Sequence, residues 1–321
     1  MRTVLVTGCA GFIGSHLAEA CLTRGDRVTG IDSLNDYYSV GQKSDNVRVL
    51  QQFDRFEFVH ADVASAGRDL LDGVDLVFHE AGQPGVRESW REPFCEYLSR
   101  NVAATQHLLE AAVAARTPRL VFASSSSVYG NAPSYPVDEG ATPRPLSPYG
   151  VTKLAAEHLC SLYAANMGLS VVSLRYFTAY GPRQRPDMAI HRLIESAVSG
   201  VPFVQFGDGS QIRDLTFVGD IVRANLAAAD ADVPAGIVAN VAGGTLCSLT
   251  ELISMVQKTV DATITIKRQE GAHGDVRYTS GAIDLAGRAF GWEPTMALSE
   301  GLEQQAAWHR ALKSQSSPAT S

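Results

Sequence analysis

The stretch Thr7-Gly8-Cys9-Ala10-Gly11-Phe12-Ile13-Gly14 follows the apolar run Val4-Leu5-Val6 and leads into a helical pattern near 15–24. Glycines at every third position of a strand-to-helix turn mark backbone that must bend tightly and approach a ligand, with the helix N-terminus facing a pyrophosphate. Glycine also punctuates ordinary turns, so the reading depends on its surroundings. The next strand pattern, 28–31, is followed by Asp32. A carboxylate there accepts hydrogen bonds from both adenosine ribose hydroxyls and repels the extra phosphate of NADP. No Arg or Lys immediately follows it, and the expected cofactor is NAD. Capping of the following turn by Asp32 is compatible with that role. Asp62-Val63, after the third strand pattern, is expected beside the adenine edge.

Short β-branched apolar runs at 4–6, 28–31, 56–60, 76–79, 120–123 and 171–175 alternate with helical patterns near 15–24 and 103–115. Runs that are apolar throughout suit strands buried on both faces, which predicts an α/β fold with a Rossmann-type doubly wound parallel sheet. After Arg175 the texture changes to a Gly/Pro/Arg-rich stretch at 181–186, strands at 203–206 and 263–267, and helices near 190–199, 250–259 and 299–309. The expected organisation is an NAD-binding domain over 1–177, rejoined by a segment near 214–242, then a smaller C-terminal α/β substrate-binding domain over 178–313. The polar residues 314–321 are expected to form a disordered tail.

Composition narrows the partners. A net charge of −7 offers no basic stripe for a phosphate backbone, so nucleic acid is not expected. The scattered cysteines, Cys9, Cys21, Cys95, Cys160 and Cys247, form neither a disulfide framework nor a metal cluster. With no signal-like N-terminus and no apolar run of membrane length, the expectation is a cytoplasmic protein without metal or membrane attachment.

Two further features carry chemistry. Tyr149 and Lys153 are spaced by one helical turn, which puts both on one face. A lysine cation beside a phenol, aided by an oxidised nicotinamide, favours phenolate and makes tyrosine a general base near neutral pH. The run Ser124-Ser125-Ser126-Ser127-Val128-Tyr129-Gly130 sits at the end of an apolar strand pattern. Serine clusters usually mark solvated turns; beside a dinucleotide fold and a Tyr/Lys pair, they are expected to face the reacting group.

Taken together, TGCAGFIGSHL, HEAGQPGVR, ASSSSVYG, SPYGVTK, LRYFTAYGPRQRPDMA and FGDGSQIRDLTFVGD resemble the extended short-chain dehydrogenase/reductase superfamily, specifically its nucleotide-sugar epimerases, over residues 3 to about 308. Where the family pattern usually reads HLAA, this chain reads His79-Glu80-Ala81-Gly82. The resemblance implies catalysis by Tyr149, Lys153 and Ser125. It implies a cofactor site of Gly8, Gly11, Phe12, Ile13, Gly14, Asp32, Asn35, Asp62, Val63, Ala81, Gly82, Asn101, Ser124, Tyr149, Lys153 and Tyr176. The related hexose 4,6-dehydratases carry Asp-Glu where this chain has Ser126 and Ser127, so elimination of water is not expected and oxidation and reduction at one carbon remains.

The substrate implied is a UDP-sugar. Thr178 and Arg213 correspond to diphosphate residues, Arg192 lies on the neighbouring helix, Gln211 precedes Arg213, Phe206 is near the uracil and Asp275 would meet the uridine ribose. Many relatives have arginine three residues before that acid, whereas this chain has Ala272, so its phosphate clamp is expected to differ. The GPRQRPDMA stretch and Gly85-Val86-Arg87 most resemble UDP-glucuronate 4-epimerases; Arg185 and Arg87 are candidates to meet a sugar carboxylate, and Arg183 shares the loop of Arg185. Epimerisation of a neutral UDP-sugar, decarboxylation of a 4-keto uronic acid, and a silent NAD-binding protein are the competing readings. A homodimer through Ala-rich helices near 103–115 and 148–163 is also expected from the resemblance.

Overall fold

The computed structural model describes residues 1–65, 67–270, 274 and 276–316. The chain begins with β1 (Thr3–Thr7), α1 (Phe12–Thr23), β2 (Arg27–Asp32), α2 (Val40–Leu50), β3 (Phe56–His60) and β4 (Leu76–His79). It continues with α3 (Phe94–Tyr97), α4 (Ala104–Ala115), β5 (Arg119–Ser125), α5 (Pro148–Met167), β6 (Val171–Tyr176), β7 (Thr178–Tyr180), α6 (Ala189–Ser199), β8 (Phe203–Phe206) and β9 (Ile212–Phe217). Then come α7 (Val218–Asp230), β10 (Ile237–Val241), β11 (Thr245–Ser248), α8 (Leu249–Val260), β12 (Ile266–Gln269), α9 (Asp284–Phe290) and α10 (Leu298–Ser316).

The large sheet has the order β3-β2-β1-β4-β5-β6-β10, with every neighbouring pair parallel. Its central strands β1, β4, β5 and β6 are buried on both faces, which explains their unbroken apolar runs, while β3 at the edge is only partly buried. Val4 and Val6 enter one core while Leu5 enters the other, and Phe78 against Val77 and Val121 against Phe122 repeat the division. The second core receives Leu108 and Ala112 of α4 and Ala156 and Cys160 of α5. The strand order reverses between β1 and its neighbours β2 and β4, which opens a crevice at the strands' C-terminal ends.

The chain leaves this sheet after β6 and returns to it as β10, after α7 has packed on α1. Between and after these lie a small sheet, β11-β9-β7, and the pair β12-β8. Leu193 of α6, Val256 of α8 and Leu302 of α10 belong to the same core as Leu17 of α1 and Ile221 of α7, so apolar packing is continuous across the two parts. Two boundaries differ from expectation. α10 runs to Ser316, so residues 314–316 are helix rather than tail, and residues 317–321 lie outside the described ones. The last strand is Ile266–Gln269 instead of 263–267; it is exposed throughout, so no pattern of buried residues fixes its register.

Candidate active site

Gly8 leaves β1 with φ +71°, and a Cβ there would lie 2.8 Å from the Ala81 nitrogen. A Cβ on Gly14 would sit 2.2 Å from the Gly8 oxygen, so α1 approaches the turn this closely only because that position is glycine. No side chain caps α1 at Gly11, which leaves its first N–H groups to an anion. At the end of β2, Asp32 Oδ2 accepts from Ala10 N at 3.1 Å and Oδ1 accepts from Leu34 N at 2.8 Å. Burial pushes this carboxyl up, opposed by those hydrogen bonds and by the Lys43 ammonium.

The cavity above the turn brings together Gly8, Gly11, Phe12, Ile13, Gly14, Asp32, Asn35, Asp62, Val63, Ala81, Gly82, Ser124, Tyr149, Lys153 and Tyr176. Asn101 is held directly behind this wall. Its Oδ1 accepts from Gln83 N at 2.6 Å, and its Nδ2 donates to Gln83 O and to Thr152 Oγ1, each at 3.0 Å. The amide is used in tying the loop after β4 to α5, so Asn101 positions the cavity wall and is not one of its lining residues. It does so from a π-helical turn, Leu98–Ala103, the kind of local widening that recurs at functional sites.

The serine run divides by role. Ser124 Oγ donates to Glu157 Oε2 at 2.6 Å, and Arg175 holds the same buried carboxylate through Nε at 2.9 Å and Nη2 at 2.6 Å. This pair fixes α5 against β6. Ser125 Oγ accepts from Ser127 N at 3.1 Å, and its hydroxyl bears on the Tyr149 phenol. α5 starts at Pro148 behind Ser147, whose Oγ accepts from Gly150 N at 3.1 Å. A Cβ on Gly150 would lie 2.6 Å from the Ser127 oxygen, so the first turn of α5 packs directly on the serine turn and delivers Tyr149 to Ser125.

Burial raises the Tyr149 phenol, while the Ser125 hydroxyl and the Arg185 guanidinium lower it. Arg185 is thus a further cation bearing on the phenol, and it lines the same cavity as Tyr149 and Lys153. Lys153 Nζ lies 4.8 Å from the Phe122 ring centroid; burial pushes the lysine down to about 8, against the pull of Glu80.

A second cavity adjoins the first. Ser125, Ser126, Ser127, Tyr149, Thr178 and Arg185 line it, as do Arg87, Arg192, Phe206, Gln211 and Arg213. Asp275 lies outside the described residues. Arg185 donates from Nε and Nη2 to the two oxygens of Asp187, each at 3.0 Å. The other two loop arginines part from it. Arg183 donates to Glu19 Oε2 on α1 at 2.6 Å. Arg87 lies 4.2 Å from the Phe206 ring centroid and its charge bears on Arg192, on the β8 side of the cavity that Arg185 also lines. Gly85, at φ +105°, and the Tyr97 hydroxyl, 2.8 Å from the Pro84 oxygen, set the course of the chain into Arg87.

Residues 4–242 match the profile of the NAD dependent epimerase/dehydratase family. The chain belongs to this family. It is 39% identical over 311 residues, covering 96% of this chain and 98% of the other, to the uncharacterized UDP-glucose epimerase YtcB of Bacillus subtilis (strain 168). It is 35% identical over 317 residues, covering 97% of each chain, to the UDP-glucuronate 4-epimerase of Thermodesulfobacterium geofontis (strain OPF15). The crystal structure of UDP-glucuronic acid 4-epimerase from Bacillus cereus in complex with UDP-glucuronic acid and NAD matches with a TM-score of 0.93 at 40% identity, over 97% of this chain and 99% of that one.

Lys43 and Glu80 are among the cavity-lining residues that escaped the sequence reading. Lys43 of α2 reaches the Asp32 end of the first cavity, donating to Asn35 O at 2.6 Å and Asn35 Oδ1 at 2.8 Å. Nothing in the sequence marks it, because α2 buries few residues and lacks a strong apolar stripe. Glu80 lines the same cavity beside Lys153. Its signal was visible as the departure from HLAA.

Proposed function

We propose that this chain inverts C4 of UDP-glucuronate to give UDP-galacturonate, with tightly held NAD. The observation that carries the reading is the position of Tyr149: it lines both the dinucleotide cavity and its neighbour, where Ser125 stands with it. The glycine turn, Asp32, Asp62, Val63 and Lys153 would hold the dinucleotide. That cofactor supplies oxidation and reduction at the sugar carbon when bound. Tyr149 takes the proton of the sugar 4-hydroxyl and later returns it, while Ser125 orients both hydroxyls. Rotation of the 4-keto sugar presents its opposite face before reduction, which inverts the centre.

The uronate choice rests on Arg185. A guanidinium in direct electrostatic reach of Tyr149 favours a substrate with a carboxylate next to the reacting carbon. Ser126 and Ser127 supply hydroxyls but no carboxyl acid or base to expel water. Turnover of UDP-glucuronate should exceed that of UDP-glucose and UDP-N-acetylglucosamine at equal concentration; a preference for a neutral sugar would replace this reading with the neutral-sugar epimerase.

The assembly we propose is a cytoplasmic homodimer. On α5, Val151 is 47% and Leu162 55% exposed, apolar surface of the kind a partner copy covers. Free thiols throughout fit a reducing compartment. Sedimentation at micromolar concentration should give twice the chain mass, and a monomer would refute the dimer.

A further inference from the structure

Glu80 directly follows β4 and shares a cavity wall with Lys153 and Tyr176. Its Oε1 is 2.8 Å from the Tyr176 hydroxyl, and that hydroxyl is 2.9 Å from Asn225 Oδ1. Asn225 Nδ2 donates to Ile221 O at 2.9 Å, which fixes the amide with its oxygen towards Tyr176. One phenol hydrogen therefore lies between two acceptors. Every partner is satisfied when the Glu80 carboxyl carries a proton, donates it to Tyr176, and Tyr176 donates to Asn225. When Glu80 ionises, the phenol hydrogen turns towards the carboxylate, and a buried negative charge then calls for a cation.

We propose that Glu80 is the counter-ion of Lys153, a positioning residue that keeps the lysine ammonium charged inside the cofactor cavity, with the Tyr176 hydroxyl switching between the two states of the carboxyl. The proton that leaves Glu80 is matched by the one that makes the ammonium, so the pair stays neutral in either arrangement.

The surroundings support the assignment. Lys153 also faces Cys160 and Glu157, but burial raises the Cys160 thiol and Arg175 holds the Glu157 carboxylate. His79, the neighbour of Glu80, is kept neutral by burial and by the Lys153 charge. Asn225 is uncharged, and Tyr176 is pushed far up by burial. Burial raises Glu80 to about 7 against the pull of Tyr176 and Lys153, and lowers Lys153 to about 8 against the pull of Glu80, so the two titrate together.

A cationic Lys153 matters because the ammonium donates three hydrogen bonds and accepts none, the form suited to holding a cofactor hydroxyl. That purpose rests on the NAD-dependent reading. The charge state does not, and it is measured without substrate. Holoprotein with isotopically labelled lysine side chains contains Lys43, Lys153, Lys258, Lys267 and Lys313, and Lys153→Met identifies the signal. In Glu80→Gln and in Glu80→Leu, which installs the residue type of the family pattern, Lys153 should lose its proton at a pH about one unit lower than in the parent. Retention of the dinucleotide on gel filtration should fail at correspondingly lower pH. A Lys153 titration unmoved in both variants would overturn the proposal.

Discussion

Arg185 is the residue on which substrate choice turns. Its Nε and Nη2 edge is committed to Asp187, so a sugar carboxylate would meet the remaining edge of a guanidinium already fixed in place. Such fixing reduces the entropy lost on binding. A clamp near the carbonyl plane also slows loss of carbon dioxide from a 4-keto uronic acid, because the breaking bond reacts fastest when perpendicular to that plane. Arg185→Ala should lower kcat/KM for UDP-glucuronate by at least about tenfold, or roughly 1.4 kcal/mol of transition-state stabilisation. Some residual flux should appear as a 4-keto pentose, and UDP-glucose handling should suffer much less. Product chromatography on both substrates measures this. Equal losses would assign Arg185 to the shared diphosphate or to the loop fold. The role of Arg185 beside Tyr149 was only half legible: the sequence named it for the carboxylate, but its effect on the phenol depends on the path of the 181–188 loop.

The glycine turn is the element that most tightly joins sequence to site. An alanine at Gly14 would force its Cβ against the Gly8 backbone oxygen, which cannot swing aside as a side chain can. Gly11 is less crowded, with the nearest atom 3.1 Å from an added Cβ. Gly14→Ala should purify with little dinucleotide and a lowered melting temperature, while Gly11→Ala should retain more of both; nucleotide released on denaturation gives the measure. If Gly14→Ala kept a full complement, the close approach of α1 would not be what shapes the cradle. Elements with an apolar run buried on both faces, such as β1 and β4, were readable from the chain. α2 was not, because it is largely polar and its cavity residue, Lys43, is buried by a tertiary contact. β7 was missed for another reason: only Phe177 separates its three residues from β6, and no turn signal marks the passage to a second sheet.

At the scale of the whole molecule, the site is assembled by contacts that no local pattern announces. The loop carrying Arg185 is held from both sides: His16 of α1 meets the Pro182 oxygen at 2.9 Å, and Gln305 of α10 donates to Gln184 Oε1 at 2.8 Å. A continuous core from α1 and α7 through α6, α8 and α10 backs this arrangement. The chain returns to the large sheet as β10, paired in parallel with β6. Such long-range placement explains why the sequence grouped Arg87, Arg183 and Arg185 together, while the fold sends them to Phe206, Glu19 and Asp187.

On the proposed reaction, this site removes and returns the hydrogen at one sugar carbon without releasing the oxidised sugar. UDP-glucuronate carrying deuterium at C4 tests it, with the product followed by nuclear magnetic resonance in ordinary water. The expected product is UDP-galacturonate that keeps the deuterium at C4, formed without added NAD once the protein has been purified with its cofactor. Epimer that had lost the label to solvent, or no C4 epimer from a folded, cofactor-loaded protein, would contradict it.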